Sequence, residues 1–251
     1  MAERRETKAE RKERARRERL ALEARAGRSR RNRAIGLVAA GAVAAAAIAY
    51  VVTRPPAPSP APEGLDAILA SATQAQADAG CGEVTTVPAY DPEAIDRAHT
   101  GSDQVASLPA LSTYPSTPPT SGPHDPNVLP AGIYDRTPDL GPALHSLEHG
   151  GVIIWYAPDA PEDEVRALTD LYSREDIAGE RVIVAPYDYP DQGEVGALPA
   201  GTQMAMVAWH RLQTCASIDA AAAFGFSARY AFPTYDREAY LGEAPEPGAQ
   251  M

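Results

Sequence analysis

The feature that most constrains this chain is a run of nineteen uncharged, mostly apolar residues at positions 34–52. As an α-helix, such a run has the length that crosses a hydrocarbon core of about 30 Å. The residues before it, 1–33, hold fourteen Lys and Arg against six Glu, a net charge of +8. Because cytoplasmic flanks are rich in Lys and Arg, the pattern predicts one membrane-spanning helix with a cytoplasmic amino terminus.

A cleaved signal peptide is the alternative interpretation of the same run, because its small residues suit a signal peptidase. The long charged arm and the long apolar run favour a retained anchor instead. The arm has Glu and Arg pairs at helical spacing, so it either lies along anionic lipid as a helix or serves as a solvated tail that sets orientation. The expected partner of residues 34–52 is the lipid bilayer.

Composition divides the remainder of the chain. Residues 53–63, TRPPAPSPAPE, form a Pro-rich spacer that favours an extended conformation. Residues 64–242 are long enough for one domain with its own core, and residues 243–251 read as a polar tail. From residue 34 onward, the chain has nine Lys and Arg and 28 Asp and Glu, which give a net charge of −19. We therefore expect an acidic extracytoplasmic domain with no nucleic-acid partner.

The chain has two cysteines, Cys81 and Cys215, near opposite ends of that domain. Outside the cytoplasm, an isolated pair of this kind predicts a disulfide. Closing so long a loop stabilises a fold by up to about 4 to 5 kcal/mol in the chain-entropy account. Two free thiols that act as soft metal ligands are the alternative.

Hydrophobic periodicity and turn residues predict an α+β fold. Residues 85–144, rich in Pro, Gly, Ser and Asp, are expected to be one long irregular segment with a functional role. The order strand, helix, strand, strand, helix predicts a small sheet with helices on one face and one right-handed crossover. The predicted helices are 65–79, 161–173 and 218–230, and the predicted strands are 151–156, 181–186 and 202–212.

Three of the five histidines, His124, His145 and His149, fall within 26 residues, in stretches punctuated by Gly and Pro. Imidazole is a neutral nitrogen donor near neutral pH, so clustered histidines favour a transition-metal site. We expect these three residues to be metal ligands, with His99 as a fourth. The alternative is that they are unrelated surface and packing histidines.

The string HSLEHGG, from His145 onward, adds a carboxylate to this pattern. On one helical turn, His145, Glu148 and His149 project from the same side, and the two glycines that follow end the turn. Glu148 is then expected to orient an imidazole or to act as a base.

The identity of the metal is argued from a second pattern. Met204, Met206 and His210 alternate along one face of a predicted strand, which presents two thioethers together. Thioether and imidazole together favour copper, with zinc as the second choice. The competing interpretation is that these methionines fill the core.

HSLEH also matches the H-x-x-E-H pattern of zinc peptidases, in which the glutamate activates a zinc-bound water. Those enzymes carry the pattern within a long helix, whereas two glycines and a strand follow here. We therefore expect metal binding, delivery or resistance without turnover, with a metal donor or acceptor protein as a further partner. The alternatives are a zinc-dependent hydrolase using Glu148 and a metal-free envelope interaction module.

Several unusual strings resemble one bacterial family. YPSTPPTSGPHDP at 114–126, HSLEHGGVIIWY at 145–156, the Ala208-Trp209 pair and the flanking cysteines are similar to the family known as domain of unknown function 3105. The resemblance spans about residues 81–230 and implies an anchored or exported protein without an assigned activity. The positions that match are His99, Tyr114, Pro118, Pro119, Ser121, Gly122, His124, His145, Glu148, His149 and Trp209.

Overall fold

The computed structural model describes residues 64–177, 181–233, 235 and 240–251. The expected basic arm, membrane-spanning run and linker, residues 1–63, lie outside the described residues. Within the described ranges, no helix is both long enough and apolar enough to cross a bilayer.

A six-stranded mixed sheet lies at the centre of the domain, in the order β1-β6-β5-β3-β4-β2. The two parallel pairs are β3–β4 and β2–β4, and the other pairs are antiparallel. The strands are β1 Thr85–Thr86, β2 Gly132–Ile133, β3 Val152–Tyr156, β4 Val182–Pro186, β5 Met204–Ala208 and β6 Arg211–Cys215.

Four α-helices in the described residues cover this sheet: α1 Leu65–Asp78, α2 Leu140–Glu148, α3 Glu162–Tyr172 and α4 Ala220–Tyr230. Helix α3 has three acidic residues in its first turn, which suits the positive end of the helix dipole. It connects the adjacent parallel strands β3 and β4, as expected of a crossover helix. The predicted helices and strands, apart from the last strand, agree with the structure to within two residues.

The sheet is covered on both faces, so the expectation of helices on one face is wrong. Ile154 and Met206 belong to a core with α1, α3 and α4, whereas Ile153 and Val207 belong to a second core with α2. The physical reason is that strands β3, β4 and β5 are apolar at nearly every position. Such strands have two faces to bury, and the second is covered by α2 and the irregular segment before it.

The predicted strand 202–212 is two strands joined by a tight turn at Trp209 and His210. His210 has φ 56°, in the left-handed region that non-glycine residues rarely adopt. This turn reverses the chain so that Ala208 pairs with Arg211.

Two long-range connections close the domain. Cys81, just after α1, forms the predicted disulfide with Cys215 at the end of β6. The segment expected to be a polar tail, residues 243–251, lies against the end of α2, where the Glu246 N–H donates to the Glu148 carbonyl and the Gly248 N–H donates to the His149 carbonyl.

Candidate metal centre

Helix α2 positions two of the polar side chains in the second core. His145 and Glu148 lie three residues apart in its last turns and are both buried. The helix ends as the sequence predicts: Gly150, with φ 91°, donates its N–H to the Leu147 carbonyl, and the Gly151 N–H donates to the Ser146 carbonyl. This pair of bonds is a Schellman ending, which needs a residue that tolerates positive φ.

Main-chain pairing positions His99 and His124. The two residues form an isolated parallel bridge, in which the His124 N–H donates to the Ala98 carbonyl and the Thr100 N–H donates to the His124 carbonyl. The bridge sets the two imidazoles side by side, with ring centroids 4.9 Å apart. Both rings also lie within 4.9 Å of the His145 ring, between centroids.

Four side chains from these segments converge: His99, His124, His145 and Glu148 each offer one donor atom, and the four atoms lie within 4.8 Å of one another. Oε2 of Glu148 is the shared neighbour. It lies 3.0, 3.8 and 4.0 Å from the Nε2 atoms of His124, His99 and His145. Donors around one tetrahedral ion lie about 3 to 4 Å apart, and the three distances from Oε2 fall in this range.

His124 lies between two hydrogen-bond acceptors, one near each ring nitrogen. Its side chain is fully buried, with Nδ1 2.8 Å from the Gly122 carbonyl and Nε2 3.0 Å from the Glu148 carboxylate. A carbonyl and a carboxylate both accept hydrogen bonds, whereas a neutral imidazole has one proton to donate. A neutral His124 can therefore donate to only one of these two acceptors.

Arg97 holds the carboxylate ionised. Its guanidinium donates to Oε1 of Glu148 through Nε and to Glu246 through Nη2. Burial opposes ionisation of Glu148, but the hydrogen bonds from His124 and Arg97 and their positive charges outweigh it and lower the pKa of Glu148 to about 2. At neutral pH the centre therefore contains a carboxylate anion.

His145 has the protonation state that metal ligands need. Burial, reinforced by the neighbouring histidines when they are protonated, lowers the pKa of His145 despite the opposing charge of Glu148. Its ring is thus neutral near pH 7, the form that donates a nitrogen lone pair. Its Nδ1 is buried and has no hydrogen-bond partner among the described residues.

The remaining sequence candidates lie outside this group. Nδ1 of His149 lies 2.7 Å from the Gln250 carbonyl, and its Nε2 lies 3.8 Å from Glu246. Met204 and Met206 are fully buried in the core with α1, α3 and α4, where they fill space. The structure therefore does not bring thioethers to the histidines, and the core interpretation of these methionines holds.

His210 contributes to a separate buried network around Asp96. The carboxylate of Asp96 accepts hydrogen bonds from the Tyr90 N–H, the Ser121 hydroxyl and Nε2 of His210. These bonds join the segment before His99, the loop before His124 and the β5–β6 turn. Asp96 thus fixes the two segments that form the histidine bridge.

Sequence reasoning missed Asp96, Arg97 and Glu246. The available signal was the string DRAH at 96–99, which places a carboxylate and a guanidinium just before a candidate ligand. Arg97 is notable because arginine is scarce in this acidic domain. No local pattern connects Glu246 to the histidines, since it approaches them only through the fold.

Asp96→Asn is expected to reduce the loss of stability in acid. Burial opposes ionisation of Asp96, but hydrogen bonds from His210, Tyr90 and Ser121 outweigh it and lower its pKa below the ordinary value of 3.8. A pKa lowered by folding stabilises the protein above the unfolded-state pKa, and this stabilisation is lost as pH falls below it. We expect the free energy of unfolding, measured in urea from about pH 5 to about pH 3, to fall less steeply in Asp96→Asn than in the wild type.

The matched control is Asp103→Asn, which changes an exposed carboxyl group. It should keep the wild-type slope. Equal slopes in all three proteins would show that Asp96 does not contribute to acid sensitivity.

Comparison with known proteins gives one family. A sequence model described as "Protein of unknown function (DUF3105)" matches residues 110–248, more than half of the chain. The match contains His124, His145 and Glu148, extends into the segment that lies against α2, and begins after His99. No curated protein and no solved structure matches the chain.

Proposed function

The chain belongs to the DUF3105 family, whose description names no activity, so from the site itself we propose that this protein binds a transition-metal ion through His99, His124, His145 and Glu148. The observation that carries the proposal is the convergence of four donor atoms, from His99, His124, His145 and Glu148, to within 4.8 Å of one another. A fully buried imidazole faces an acceptor at each nitrogen, and a metal ion at Nε2 resolves this conflict. The Gly122 carbonyl, which lies 2.8 Å from Nδ1, then fixes the tautomer and the orientation of the ring.

The donor set indicates which ions bind. Three imidazoles and one carboxylate are borderline donors that suit divalent copper and zinc, and they do not suit magnesium or calcium. Divalent copper binds nitrogen and oxygen donors more tightly than zinc does. We therefore propose copper as the first choice and zinc as the second. The copper ion is the divalent one, because the thioethers that would favour cuprous copper lie elsewhere.

The cellular role follows from the sequence. A basic arm, an apolar run and an acidic domain with a disulfide are consistent with a membrane-anchored protein whose metal centre lies outside the cytoplasm. In that setting the centre serves metal binding, delivery or resistance, with a metal donor or acceptor protein as its partner. The exposed side of His99, 44% of whose side chain is accessible, gives the ion a route to solvent.

Hydrolysis is less well supported. A hydrolase of the H-x-x-E-H type needs its glutamate as a base, outside the ligand set. Here Glu148 is itself one of the four converging donors and accepts a hydrogen bond from Arg97, which helps to lower the pKa of this carboxyl group. A carboxylate this acidic is a poor acceptor for a proton from water at neutral pH.

Metal titration of the purified full-length protein tests the proposal. We expect one tight equivalent of Cu²⁺ or Zn²⁺ in competition with a chelator of known affinity, with Cu²⁺ held more tightly. His145→Ala should lose this equivalent while its far-ultraviolet circular dichroism stays like that of the wild type. Stoichiometric metal in a variant with His99, His124 and His145 all changed to Ala would refute the assignment.

Gly141→Ala is expected to weaken metal binding about tenfold or more by moving a ligand-bearing segment. Gly141 lies on α2, and a Cβ there would stand 2.9 Å from Cβ of Asp125, the residue after His124. The segment would have to move away from the helix that carries His145 and Glu148. Affinity from chelator competition measures the effect, and Gly82→Ala, whose new Cβ meets nothing closer than 3.9 Å, is the control. Unchanged affinity in Gly141→Ala would mean that this contact does not set the ligand geometry.

A further inference from the structure

A second imidazole repeats the arrangement seen at His124. Nδ1 of His149 lies 2.7 Å from the Gln250 carbonyl, while Nε2 faces Oε2 of Glu246 at 3.8 Å. Because the carbonyl can only accept, Nδ1 carries the proton in the neutral ring, and the lone pair of Nε2 is directed toward a carboxylate. The 3.8 Å separation is too long for a hydrogen bond, so two electron-rich atoms face each other without a bond between them.

His149 is adjacent to the first centre. Its ring centroid lies 4.4 Å from that of His145, which in turn lies 4.7 Å from that of His99. His145 is thus in contact with both, and its buried Nδ1 has no hydrogen-bond partner among the described residues. The imidazoles form a continuous series from the exposed His99 to His149.

Arg97 connects the carboxylates of the two positions. It donates to Glu148 in the first centre and to Oε1 of Glu246, which leaves Oε2 of Glu246 for His149. Before an ion occupies the first centre, the two carboxylates outweigh the one guanidinium, so the local charge attracts a cation. Glu246 is 51% exposed, which leaves coordination positions open to water or to an incoming ligand.

We propose that His149 and Glu246 form a second, weaker position for a divalent transition ion, which exchanges ions with the centre at His99, His124, His145 and Glu148. This inference rests on the proposed function for the direction of exchange. One imidazole and one carboxylate give low affinity, which suits transfer and does not suit storage.

Titration of the full-length protein with Cu²⁺, followed by electron paramagnetic resonance, tests this position. We expect a tight equivalent and then a weaker one with a distinct spectrum. Glu246→Gln and His149→Gln should each remove the weaker spectrum and keep the tight equivalent. They should also slow release of the tight ion to a chelator about tenfold.

Glu243→Gln is the matched control, because Glu243 lies in the same segment, is also 51% exposed and pairs with Arg211. It should retain both equivalents and the wild-type release rate. A weaker spectrum that persists in both Glu246→Gln and His149→Gln overturns the second position, and so does its absence from the wild type.

The two proposals fail in different ways. Loss of the tight equivalent from the wild type, with a Glu246-dependent spectrum still present, refutes the first centre and leaves the second position standing. If the wild type binds only the tight equivalent, and neither substitution changes its release rate, the second position is refuted and the first centre stands.

Discussion

Saturating Zn²⁺ is expected to raise the free energy of unfolding by about 4 kcal/mol when free Zn²⁺ exceeds the dissociation constant a thousandfold. An ion that binds only the folded protein adds its binding free energy to stability. The donors at 99, 124, 145 and 148 come together through a main-chain bridge and a packed helix, so the unfolded chain lacks the site. Urea unfolding with and without Zn²⁺ measures the increment, and a chelator should reverse it.

Two controls separate this effect from non-specific binding. His124→Ala should show no Zn²⁺-dependent increment, because it removes the most buried ligand of the group. Mg²⁺, which prefers oxygen donors, should leave the wild type unchanged. An equal increment in His124→Ala and in the wild type would show that the ion binds elsewhere.

Removing the disulfide with Cys81→Ala and Cys215→Ala together is expected to lower the free energy of unfolding by up to about 4 to 5 kcal/mol. The two cysteines are separated by 134 positions, so the bridge removes many conformations from the unfolded chain. The double variant avoids leaving a single reactive thiol.

Urea unfolding of the double variant and of the reduced wild type should give the same loss, since both lack the bridge and keep the other contacts. A loss below about 1 kcal/mol in both would mean that strain in the folded state or structure in the unfolded state offsets the entropic gain.

Much of the fold could be predicted because its elements carry strong local signals. Helix α3 begins after Pro161 with three acids and then shows apolar residues at helical spacing. Strands β3 and β4 are short apolar runs bounded by turn residues. The prediction of helices on only one face of the sheet was wrong. The sequence of these strands contains the relevant signal, because a strand that is apolar at consecutive positions needs cover on both faces.

The candidate site was predictable in its donor types and much less so in its geometry. HSLEH places His145 and Glu148 together because both lie on one helix. The spacing between His99 and His124 does not predict that their main chains pair, since that depends on the path of an irregular segment. The same limit applies to His149. Its position beside Glu246 depends on how residues 243–251 pack, which the local sequence does not predict.

The bridge between His99 and His124 sets how an ion would enter the proposed metal centre. Two donors are held by paired backbone and two by a single helix, so the cage is assembled before an ion arrives and little ordering entropy remains to be lost at capture. At the proposed centre, uptake of an ion from solvent then depends on rotation of one solvent-facing imidazole, His99, instead of on the opening of a loop. Side-chain rotation is among the fastest motions of a folded protein. Uptake can therefore be rapid while the other three donors stay fixed.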